Sequence, residues 1–125
     1  KGRNKKQMDE HKILNIIMSA LSDKRANDIN AIDIHDLTVI ANYFIIASGT
    51  SSTHIQSLAD FVEEKLLEAG LKPLHMEGYN SARWILMDYG DVVIHIFHED
   101  DREYYGLERL WQDGKPIAIH AEINE

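Results

Sequence analysis

Three segments carry side chains that do chemistry in suitable surroundings. Ser48-Gly49-Thr50-Ser51-Ser52 follows an apolar run and precedes a helix-like pattern. A junction of that kind aims backbone N–H groups at one spot, where an anion can sit. The segment lacks the lysine of a phosphate-binding loop. It is also not the G-x-S-x-G elbow of a serine nucleophile, and a sharp turn with a helix cap accounts for it. His95, His98, Glu99 and Asp100 are metal-ligand types. On a strand, however, positions 95 and 98 point to opposite faces, so no metal site is expected there. The carboxylates Asp33, Asp36 and Glu77 are the third group. No serine–histidine–acid set stands out, and the absence of cysteine excludes thiolate chemistry and disulfides.

The strand–glycine–serine–helix arrangement resembles the nucleotidyltransferase fold. Those enzymes hold divalent metals with paired carboxylates on the next strand. Here the next candidate strand, near residues 73–77, offers only Glu77, while Asp33 and Asp36 precede the Gly49 turn. The expectation is a scaffold without the catalytic carboxylates and without a cofactor. A nucleotide-binding or nucleotidyltransferase enzyme acting through Gly49–Ser52 is the alternative reading.

Composition sets the frame for both readings. The chain has 125 residues, 44% apolar and 27% charged, which suits one domain with a real core. No apolar run approaches the roughly 20 residues of a membrane helix. The N-terminus lacks the pattern of a signal peptide, and a cytoplasmic protein is expected. Residues 1–7 carry four positive charges and no acid, and read as a tag or disordered basic arm ahead of a domain over 8–125. That domain holds nine basic and 21 acidic residues, a net charge of −12. Such a body repels phosphate backbones and is steered toward basic partners, so little direct nucleic-acid contact is expected.

The elements follow from periodicity. Ile13, Ile16, Ile17, Ala20 and Leu21 predict a helix over 9–22. Alternation predicts a strand over 28–35, and the run 43–48 a central strand buried on both faces. Ile55, Leu58, Ala59, Val62, Leu66 and Ala69 predict a helix. Thr50 to Thr53 offer caps, with capping-box spacing between Thr53 and Gln56. Gly70 is suited to the position after the helix end. Further strands are expected over 73–77, 83–88 and 91–97, then a closing helix over 100–111 and an edge strand over 117–119. The order predicts one α/β domain with a mixed sheet packed with helices.

A two-residue turn at Tyr89-Gly90 sets the hairpin register. Asp88 then faces Asp91, and Trp84 faces His95. Ile85, Met87, Val92, Ile94 and Ile96 fall on one face, and Trp84, Leu86, Val93, His95 and Phe97 on the other. The first face is core-like. The second mixes aromatic residues and a histidine, types common at interfaces, and either a helix covers it or a partner does. Opposed Asp88 and Asp91 repel, which a basic partner, water or turn hydrogen bonds would each relieve. On the closing helix, Tyr104, Leu107, Leu110 and Trp111 form a stripe.

Several long segments together resemble the RsfS/Iojap ribosomal silencing factors. They are Asp23 to Asp28 with Asp33, Asn42 to Ser51, Glu77-Gly78, Trp84 to Phe97 and Arg102 to Trp111. The match runs over about residues 12–111, and Asn42 departs from the aspartate usual there. The resemblance implies a nucleotidyltransferase-like α/β domain without catalytic carboxylates, and a role that is not enzymatic. It also implies binding to large-subunit ribosomal protein fourteen and steric blocking of small-subunit association, which represses translation. Combined with the hairpin reading, it points to Trp84, Leu86, Asp88, Tyr89, Asp91, His95 and Phe97 as contacts, with Arg102, Tyr105 and Glu108 behind them. The free protein is a candidate homodimer through the Trp84 face.

Overall fold

Helix α1 (Glu10–Asp23) starts at Asp9, whose carboxylate accepts the His11 N–H at 3.0 Å, with Glu10 favourably placed in the first turn. Its buried face is Leu14, Ile17, Met18, Ala20 and Leu21. Ile13 and Ile16 lie at the margin, so the stripe is rotated from the one the sequence suggests. The helix ends in a left-handed turn, with the Ala26 N–H returning to the Leu21 carbonyl at 2.9 Å. Arg25 holds the left-handed position at φ +65, where glycine is usual.

The computed structural model describes residues 9–101 and 115–116. After α1 come strands β1 (Asn27–Asp33) and β2 (Tyr43–Gly49), helix α2 (Ser52–Glu68), then strands β3 (His75–Glu77), β4 (Trp84–Asp88), β5 (Val92–His98) and β6 (Lys115–Pro116). They form one mixed sheet in the order β3-β4-β5-β2-β1-β6. Among the described residues only β2 and β5 pair in parallel, from Tyr43 opposite Val92 to Gly49 opposite His98. This central pair is buried on both faces, as continuous apolar runs require.

Helices α1 and α2 pack on one face of the sheet. There Leu14, Ile17, Ile55, Leu58 and Val62 meet Ile45, Ile85, Met87, Ile94 and Ile96 in the main core. The other face carries a second cluster of Ile32, Ile34, Ala41, Ile46, Val93 and Phe97, flanked by Phe44, Trp84 and Leu86.

Helix α2 does not use the Thr53–Gln56 capping box. Ser51 is the cap, accepting the His54 N–H at 3.1 Å, and the Gln56 amide instead donates to the Tyr79 carbonyl at 2.9 Å. Its C-terminus closes at Gly70, φ +89, with the Leu71 N–H on Leu66 and the Gly70 N–H on Leu67, both at 2.9 Å. Glu99–Asp101 is a single 3-10 turn at the start of the expected closing helix. The remainder of that helix, with the Tyr104 stripe, and the edge strand expected over 117–119 lie outside the described residues. The edge pairing that is described joins Lys115 and Pro116 to Asp33 and Ile32.

Candidate partner-binding surface

The hairpin register differs from expectation by two residues. Trp84 lies opposite Phe97, Leu86 opposite His95 and Asp88 opposite Val93. The turn residues are Gly90 and Asp91, closed by the Tyr89 N–H on the Val92 carbonyl at 2.9 Å. Gly90 takes φ +90, the positive angle that a tight hairpin turn needs at its first central position. Asp88 and Asp91 therefore do not oppose each other. Asp88 instead accepts the Gly90 N–H at 2.8 Å and serves the turn. A slip of two leaves every side chain on its face, so the two-faced reading of the hairpin holds.

On the face away from α1 and α2, four rings gather. Trp84 lies 5.1 Å from Phe97 and 5.9 Å from His95, and Phe44 lies 4.5 Å from His95, measured between ring centres. The Trp84 indole donates to His95 Nδ1 at 3.1 Å. Indole nitrogen is only a donor, so Nδ1 carries no proton and the neutral ring holds it on Nε2. That Nε2 is buried and has no hydrogen-bond partner among the described residues. Burial pushes the His95 imidazole down to about 4.

His95 and Phe97 are buried, while Trp84 and Leu86 are half-buried. His95 and Phe97 lie in the layer beneath, where stacking and the indole hydrogen bond fix the Trp84 ring. Gly78 sets the approach to this strand. It adopts φ +81, and a Cβ there would stand 2.0 Å from the Trp84 carbonyl oxygen.

The hairpin tip meets three other elements. The Asp91 carbonyl accepts the Asn42 and Tyr43 N–H groups at 2.9 and 3.0 Å, and the Asp88 carbonyl accepts the Leu74 N–H at 2.7 Å. The Asn42 amide donates to Glu10 at 3.1 Å, tying in the start of α1. Burial raises the Glu10 carboxyl above its usual range; the Asn42 amide opposes this and the Asp91 carboxylate adds to it. An aspartate at position 42 would set another carboxylate against Glu10. Tyr89 is half-buried with its hydroxyl enclosed, and burial together with the Glu63 charge raises its ionisation well above the usual range. Asp91 is exposed and Asp88 half-buried.

The enzyme-like segments have other duties. His54 fills the Gly49 turn: its Nδ1 accepts the Thr50 N–H at 2.9 Å, and its Nε2 donates to the Lys24 carbonyl at 2.8 Å. A Cβ on Gly49 would come within 2.9 Å of Ile55 and 3.1 Å of His54, so the turn is packed by its own helix. Asp33 and Asp36 flank His35. Glu77 sits four strand spacings from Asp33, roughly 19 Å away, too far to share a metal. His98 turns to Asp100, accepting its N–H at 3.2 Å, and does not join His95.

Sequence reasoning missed the loop between β1 and β2, where Val39 is fully exposed, Ile40 is 74% exposed and Leu37 is also exposed. The available signal was three apolar residues within four positions of a connection. Arg102, Tyr105 and Glu108 lie outside the described residues.

A family model described as "Ribosomal silencing factor during starvation" matches residues 7–125. A Bacillus subtilis protein named ribosomal silencing factor RsfS is 44% identical over 118 residues, covering 94% of this chain and all of that one. The Arabidopsis thaliana protein named Iojap-related, mitochondrial, is 34% identical over 96 residues, 73% of this chain and 52% of that one. A crystal structure of a Chromobacterium violaceum protein superposes with a TM-score of 0.81 at 35% identity, covering 92% of this chain and 98% of that one.

Proposed function

This chain belongs to the RsfS family of ribosomal silencing factors, and we propose that it represses translation by docking on the large ribosomal subunit and blocking association with the small subunit. The family match over nearly the whole chain carries this reading. The proposed partner is large-subunit ribosomal protein fourteen, and the proposed contacts are Trp84, Leu86, Asp88, Tyr89 and Asp91, with His95 and Phe97 supporting Trp84 from below. Arg102, Tyr105 and Glu108 extend that set.

The mechanism is occupation of space. A body of net −12 over residues 8–125 accelerates encounter with a basic partner, and apolar anchors slow dissociation. Trp84 suits an anchor because its ring is held by stacking and one hydrogen bond, so little side-chain freedom is lost on binding. No group-transfer chemistry is assigned, and the Gly49 turn is filled by His54.

Sedimentation tests the proposal. Purified large subunits mixed with excess protein should retain it through a gradient and then fail to form full ribosomes when small subunits are added. Normal joining at saturation refutes the reading. Light scattering on the free protein tests the proposed homodimer through the Trp84 face.

A further inference from the structure

We propose that the end of the sheet beyond the hairpin tip is a second docking surface, on which Val39, Ile40 and Leu74 are apolar anchors for a basic protein surface. The inference rests on the function proposed above and extends the contact area past the hairpin.

Topology brings these residues to one end. Strands β2 and β5 run in parallel and both begin there, with Tyr43 opposite Val92. The β1–β2 loop therefore arrives beside the hairpin turn, where Asn42 and Tyr43 bond to Asp91. Leu74 enters from the opposite side of the turn through its bond to Asp88, and its Cδ1 would lie 3.6 Å from a Cβ on Gly90. Val39 is fully exposed, and Ile40 and Leu74 are each 74% exposed. Scattered apolar residues are ordinary on a surface. Here they flank a single turn, and none contributes to either core cluster.

The loop presents them in a fixed shape. The Leu37 and Thr38 N–H groups both return to the Ile34 carbonyl, at 2.8 and 3.2 Å, and Thr38 Oγ1 accepts the Ile40 N–H at 3.1 Å. His35 sits between Asp33 and Asp36 at its base. A loop already ordered loses little entropy when it docks.

Charge selects the occupant. Asp9, Glu10, Asp36, Asp88 and Asp91 all lie at this end. Like charges disfavour a second copy placed end to end, and phosphate backbones are repelled as well. A basic protein face with apolar recesses fits both features, and docking there would fix the angle at which the domain stands on its partner.

The test is a Val39→Ser/Ile40→Ser double variant, with Leu74→Ser made separately, titrated against purified large subunits beside the unsubstituted protein. Both changes are at exposed positions, so circular dichroism and Tm should stay unchanged. The double variant should bind at least about tenfold more weakly, and Leu74→Ser should weaken binding in the same direction. If the unsubstituted protein fails to bind large subunits, the proposed function itself fails. If it binds and both variants match it, the second surface alone is refuted. If subunit affinity is unchanged but the variants abolish a dimer seen by sedimentation velocity, the occupant is a second copy and the proposal is overturned.

Discussion

Acid should weaken this fold through one identifiable side chain. His95 lies beneath Trp84 with Nδ1 committed to the indole N–H. Protonating Nδ1 would set two donors against each other in a site with almost no solvent. Burial accordingly holds the imidazole down to about 4, against an ordinary value of 6.5. In the unfolded chain the ring takes up its proton as the pH falls through 6.5; in the fold it resists until about 4. The native state thus binds fewer protons across that window, and stability is lost as pH falls through it. A displacement of that size corresponds to about 3 kcal/mol between pH 7 and pH 4, at roughly 1.4 kcal/mol per unit. Urea unfolding followed at pH 7, 6, 5 and 4 measures it. His95→Gln keeps an acceptor for the indole and cannot titrate, so the curve of the variant should be flatter by about that amount. Glu10, whose carboxyl is raised by burial, is present in both proteins and drops out of the difference. Parallel curves would refute the buried-histidine account, as would an NMR titration placing the His95 ring near 6.5.

Three further substitutions test the local arguments. Arg25→Gly relieves a left-handed residue at the end of α1 and should stabilise the domain by about 1 kcal/mol in urea unfolding. Gly78→Ala drives a Cβ into the Trp84 carbonyl at positive φ and should cost about 3 kcal/mol or more, read as a fall in Tm with a shift in Trp84 emission. Asn42→Asp removes the amide that donates to Glu10 and should cost about 1 kcal/mol at pH 7. Because it pushes Glu10 further up, that loss should shrink as the pH is lowered toward 5, which paired unfolding curves at the two values would reveal.

Much of this architecture is written in apolar period. The run from Tyr43 to Ser48 reads as a doubly buried strand because nothing polar interrupts it, and β2 is central in the sheet. The two hairpin faces are legible because strand side chains alternate, and a register error of two preserves alternation. That error has a local cause. Tyr89-Gly90 and Gly90-Asp91 both place the glycine in a two-residue turn, and the choice is made by Asp88 capping the Gly90 N–H and by Asn42 and Tyr43 bonding to Asp91. Asp88 is visible in the local sequence, whereas Asn42 and Tyr43 lie far away along the chain. The same holds for Ser51 over Thr53 as helix cap, since His54 must also reach Lys24. The burial of His95 and the exposure of Val39 and Ile40 depend on how whole layers stack, which spacing along a strand does not encode.

The parallel pairing at the centre has a consequence for how the molecule is made. Strands β2 and β5 meet only after residues 50–91 have folded back between them. Helix α2 and the β4–β5 hairpin are local and can form early, but the ladder joining them closes over a long stretch of chain, which slows folding. During synthesis, a nascent polypeptide that stops short of β5 has neither the main core nor the aromatic layer. Competence to engage a partner should therefore arrive in one late step, with no half-active precursor accumulating.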